Sequence, residues 1–130
     1  MRVFVYYNLH RKCLSVRSEE GASRGRVIAH ARAVDIKGAD FKVSQAGRER
    51  VLREKAKNVH AGVKGTLEGL LPLEASDADV QSWKARQAEM PGDDVTYNPY
   101  KWSTFVRRAD ESAIAQAQRC MVVERSIRAH

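Results

Sequence analysis

Two cysteines, Cys13 and Cys120, are all that the 130 residues offer for covalent cross-linking. One possible pair in a chain of this length makes no disulfide framework, so reduced thiols, one or both buried, are expected. His10 and Cys13 have the spacing of two zinc ligands, but a site needs about two more, and nothing in sequence brings them together. No metal and no cofactor is expected. Long apolar runs are also missing, and none approaches the roughly 20 residues of a membrane span. The opening MRVFVYYNLHRK holds an apolar run too short for a secretory leader, and His, Arg and Lys follow it. The cytoplasm is the expected compartment. Gly21, Gly25, Gly62 and Gly65 form no phosphate-cradling pattern. No Ser/His/Asp or Cys/His arrangement stands out. The chain is read as no enzyme; the enzymatic alternative is a phosphodiesterase built on His60 with Arg or Lys as charge stabilisers.

Positive charge is in surplus. Lys and Arg number 23 against 16 Asp and Glu, a formal net charge of +7. Such a balance concerns partners rather than fold, and draws a protein to phosphates, anionic membrane surfaces or acidic proteins. The hydrophobic fraction, 43%, is too high for wholesale disorder. The length suits one core, and the chain reads as a single basic domain over 1–130. Charge is unevenly spread. Lys42–Lys64 holds seven Lys or Arg against two Glu, whereas the insert Glu68–Asp94 holds seven Asp or Glu against two Lys or Arg. The two blocks could simply neutralise each other within the fold.

Hydrophobic periodicity gives the fold class as α+β, with a small, mostly antiparallel sheet and two helices. Val3–Tyr7 and Cys13–Arg17 read as a hairpin around an Asn8–Lys12 turn. Arg26–Ile36 alternates as a third strand, closed by a turn at Lys37–Asp40. Ser44 is a candidate N-cap for a helix over about 45–57, and Asn58 can end it. Val59–Leu67 alternates as a strand. Ser76 is a candidate cap for a second helix over about 77–89, whose apolar side of Val80, Trp83 and Met90 is thin. Asp93–Trp102 reads as an ordered loop and Ser103–Arg107 as a strand. The tail is ambiguous: Ala113–Cys120 has helical composition and Cys120–Ile127 strand character.

The first helix carries the sharpest signal. At about 100° per residue, Val51, Leu52 and Ala56 form a core-facing arc, and Arg50, Arg53 and Lys57 line the opposite side. Such a stripe is either solvated surface or a track for a phosphate backbone. His60 and Lys64 extend the basic line. Arg48 and Lys55 fall inside the apolar arc, where an unpaired charge is costly. Either their stems snorkel past the core edge, or they point into a cleft that holds an anion. A second candidate region is Tyr97-Asn98-Pro99-Tyr100-Lys101-Trp102 with Arg107 and Arg108. Rings beside cations can stack bases and hold phosphates, or can merely cover a sheet edge.

The segment VSQAGRERVLREKAKNVHAGVKG resembles the central motif of a family of small proteins from tailed bacteriophages. That family begins with a stretch similar to MRVFVYYNLHRKCLSV, and later carries a VTYNPYK-type stretch and an FVRR-like strand. The resemblance covers about two thirds of the chain, and the insert Glu68–Asp94 is its most individual part. It implies a phage or prophage origin, residence in the host cytoplasm and an early accessory role. Such proteins commonly bind nucleic acid, DNA or RNA. Others block a host or defence factor by surface binding, as anti-CRISPR-type inhibitors do, for which an acidic host surface would suit this chain.

Overall fold

A computed structural model describes residues 1–56 and 59–130. β1 (Arg2–Asn8) and β2 (Cys13–Ser18) form the expected hairpin, with Val5 opposite Val16 and Tyr7 opposite Leu14. Period-two alternation sends Val3, Val5, Leu14 and Val16 to the core, each at most 2% exposed. The turn is held by the Asn8 carboxamide oxygen, which accepts from the backbone N–H groups of His10 and Arg11. A short 3-10 turn at Gly21–Ser23 leads to β3.

β3 runs unbroken over Val27–Val43. The turn expected at Lys37–Asp40 is instead an irregularity inside this strand, where the register shifts and Gly38 takes φ +61. A glycine there lets the strand bulge without reversing. Val34 and Ile36 enter the main core, while Ala33 and Asp35 point to the other face. Both faces of the stretch 33–36 are buried, and the one charge there, Asp35, is bonded by Arg119.

Ser44 caps α1 (Gln45–Glu54), its hydroxyl accepting from the Gly47 N–H at 3.2 Å. The helix is shorter than the expected 45–57: Lys55 leaves it in the left-handed conformation at φ 54. Lys57 and Asn58 lie outside the described residues, so their places in the stripe and as helix stop go with them. β4 (Ala61–Pro72) follows and is longer than expected. β2 pairs with both β1 and the start of β3, β1 with β4, and β4 with β3, so these four strands close on themselves. Gly62 is needed in that ring, because a Cβ would lie 2.5 Å from the Val5 carbonyl oxygen and 2.6 Å from the Phe4 ring.

α2 (Asp77–Glu89) matches the expected span, with Ser76 accepting from the Asp79 N–H. Its thin apolar side is completed by a buried polar residue: Gln87 donates to the carbonyls of Met121 and Ser126. β5 (Asp93–Thr96) occupies part of the expected loop, and β6 is only Val106–Arg107 of the expected Ser103–Arg107 strand. The tail is β7 (Gln116–Val123) and β8 (Ser126–Ala129), so pairing on β3 overrides the helical composition of its first half. The fold is α+β: the described residues form eight antiparallel strands in the order β2-β1-β4-β3-β7-β8-β5-β6 and two α-helices.

Candidate functional site

α1 is held against the segment that follows β5. The Gln45 side chain donates to the Ser103 carbonyl at 2.9 Å. The Arg48 Nε–H donates to the carbonyls of Pro99 and Trp102, at 3.0 and 2.9 Å. Arg48, half-buried, thus satisfies two backbone carbonyls of the aromatic loop. The cationic helix and the aromatic loop, separated by about forty residues in sequence, thereby form one surface.

Their junction is a row of rings. Phe41 and Phe105 meet at a tilt with ring centres 5.2 Å apart, Phe105 and Tyr97 likewise at 5.1 Å, and Tyr97 meets the His60 ring edge-on at 5.6 Å. The Tyr97 hydroxyl and His60 Nε2 share a hydrogen bond of 2.9 Å. Burial pushes the Tyr97 phenol up, partly offset by the Arg48 charge. Tyr97 and His60 thus tie the loop to the start of β4, whereas Tyr100 stands out into solvent, 62% exposed.

Below this row opens a cleft of about 1040 Å³. The tip of the β1–β2 hairpin, the C-terminal end of α1, the aromatic loop and the β7–β8 turn wall it. Lys55, His60, Tyr97 and Tyr100 all face it. The sequence reading missed His10, Tyr7 and Arg125, which also line it. The Arg125 guanidinium sits 4.7 Å from the centre of the Tyr7 ring. Its signal could not be found in sequence, because the strand pairing that brings the β7–β8 turn beside β1 was not legible in the ambiguous tail.

The remaining candidates divide. Arg50 and Arg53 are exposed on α1, and Arg53 pairs with Glu54 of its own helix at 3.6 Å. Lys64 stands on the opposite sheet face, in register with Phe4 and Asp40, apart from the cleft lining. Lys101 bonds Glu111 at 2.8 Å and lies over the Trp102 ring. Arg107 is committed internally, to Asp93, Ser112 and the Ala113 carbonyl. Arg108 is exposed.

The insert's described ion pairs are made elsewhere than with the basic block. Asp77 pairs with Arg32, Asp93 with Arg107 and Asp94 with Arg128, at 2.9 to 3.2 Å. Among the described residues no ion pair joins Glu68–Asp94 to Lys42–Lys64. Nor does any group of three or more His, Cys, Asp or Glu among them have the arrangement of a metal site. Cys13 and Cys120 are both buried free thiols, and the Cys13 Sγ lies 3.9 Å from His30 Nδ1.

The model of the Mycobacterium phage L5 gene 82 protein family matches residues 1–130. The chain belongs to this family. It is 36% identical over 135 residues to the gene 82 protein of Mycobacterium phage L5, covering 99% of this chain and 95% of that protein. The match takes in the acidic insert, so the family likeness reaches beyond the two thirds carried by the three motifs. No solved structure matches. The chain is thus a bacteriophage-family protein, and no helix among its described residues is long and apolar enough to cross a membrane.

Proposed function

We propose that this phage protein is a non-enzymatic nucleic-acid-binding accessory protein, acting in the host cytoplasm through α1 and the aromatic loop. The observation that carries the reading is that Arg50 and Arg53 face outward while three of the insert's carboxylates, Asp77, Asp93 and Asp94, are engaged by Arg32, Arg107 and Arg128. Cations left facing solvent on one helix face are available to phosphates, and each phosphate contact releases counterions on binding. The loop fastened to that helix by Arg48 adds the exposed Tyr100 ring and the Trp102 ring beside Lys101, which suits contact with bases and backbone together. The +7 net charge supplies a long-range attraction to the same partner.

Fluorescence anisotropy with a labelled oligonucleotide across a salt series tests the reading. Binding should weaken steeply with salt, and the double variant Arg50→Gln/Arg53→Gln should reduce the log–log slope by about 2, near one per lost phosphate contact. An unaltered slope would dismiss the helix as the contact surface. A pull-down from host extract after nuclease treatment provides the complementary check. A discrete host protein retained at stoichiometric yield, with no oligonucleotide binding by the purified chain, would replace this reading with inhibition of a host factor.

A further inference from the structure

We infer that the cleft between α1, the hairpin tip and the aromatic loop takes the unpaired bases of a single-stranded polynucleotide, an inference that rests on the nucleic-acid reading and narrows it. A cavity near 1040 Å³ lies at the upper end of the range for sites that enclose organic ligands. Core side chains such as Val5, Leu14 and Phe105 back it, and the partly exposed rings of Tyr7, Tyr97 and Tyr100 line it. Flat rings of this kind meet the faces of bases. In a duplex those faces are hidden in the stack and only phosphates and groove edges are presented, so a duplex would leave the aromatic walls without a partner.

The rim has the charge the strand's backbone would need. Lys55, Arg125 and His10 stand around the opening. Glu124 is the one carboxylate among the lining residues, and it is held by Arg32 at 3.3 Å and Lys84 at 3.4 Å. Cations outside and rings inside are the arrangement by which small folds hold single strands without reading sequence. Tyr100, 62% exposed at the mouth, is placed to stack on the first base that enters, and Leu9 and Val59, 49% and 51% exposed, offer it apolar flanks.

The test uses the full chain and three labelled probes of about 20 nucleotides: a mixed-sequence single strand as DNA, the same as RNA, and the DNA duplex. That length exceeds the roughly 4–16 nucleotides a small single-strand-binding fold covers. Single strands should bind about tenfold or more tightly than the duplex at equal salt, and the DNA and RNA arms show which sugar is preferred. Tyr100→Ala should lower single-strand affinity about tenfold, the size expected for one lost base–ring stack, and so narrow the gap between strand and duplex. Tyr100→Phe should retain it. Because Tyr100 is exposed, an unchanged thermal transition should accompany both variants. Equal affinity for strand and duplex, or a single-strand preference that Tyr100→Ala leaves intact, overturns the cleft assignment while the phosphate contacts of α1 stand. Absence of binding to all three probes at low salt overturns both.

Discussion

Arg48 is a charge on the apolar side of a helix, and its environment shows what such a placement requires. Removing a guanidinium from water is offset only if its N–H groups find acceptors. Here two carbonyls of the aromatic loop provide them. The anomaly was legible, because an arginine inside the Val51/Leu52 arc is conspicuous. The partner was not, because backbone carbonyls about fifty residues downstream carry no sequence label. Cys120 is a simpler case, a small side chain in an alternating strand that ends fully buried between β3 and β8. Burial, with the nearby Asp35 charge, pushes its thiol up from 9.0 to about 12. The folded state therefore holds the proton more tightly than the unfolded one. Stability from this residue is complete below about pH 9 and is lost as pH rises towards about 12. Urea midpoints from about pH 8 to 10.5 should fall more steeply for the native chain than for Cys120→Ala. Parallel slopes would show that the thiol is not protected by burial.

The end of α1 was misread at the scale of the element. Helix-forming composition continues through Lys55 and Lys57, and propensity alone extends the helix. The chain instead turns at Lys55, which takes φ 54 and donates its N–H to the Val51 carbonyl. This is the position where glycine usually closes a helix, since a Cβ is unfavourable there by about 1–2 kcal/mol. A lysine at such a point sacrifices stability and, in return, places a cation at the cleft mouth. Lys55→Gly should therefore raise stability by a few tenths to about 1 kcal/mol in chemical denaturation, after the glycine's unfolded-state entropy is counted. The same variant should bind single strands more weakly. A variant that is both less stable and equally tight would contradict the trade. The second helix, by contrast, was legible in both its cap and its span. Ser76, the acidic first turn and the Pro91-Gly92 stop all agree locally, and local agreement is what sequence displays.

Charge segregation was visible in the sequence of the whole molecule, but its outcome depended on topology. A basic block followed by an acidic one could fold back into pairs. The sheet order prevents this by handing Asp93 and Asp94 to β5, where Arg107 of β6 and Arg128 of β8 are the neighbours. Long-range strand pairing of this kind, including the ring closed by β2 and β3, is set by contacts that no local window contains. The insert's other carboxylates include Glu68, Glu74 and Glu89, all exposed. If the insert shielded α1, neutralising these three would unmask it and strengthen nucleic-acid binding sharply. Exposed charges farther apart than about 8 Å are largely screened at physiological salt. The triple variant Glu68→Gln/Glu74→Gln/Glu89→Gln should therefore change oligonucleotide affinity by less than about threefold at about 0.15 M salt. The gap from the native chain should widen as salt is lowered, because the Debye length then grows and a diffuse repulsion is felt. A gain of about tenfold or more that persists at 0.15 M would mean direct contact between the insert and the binding face, and would return the basic helix to the role of an internal ion-pair partner.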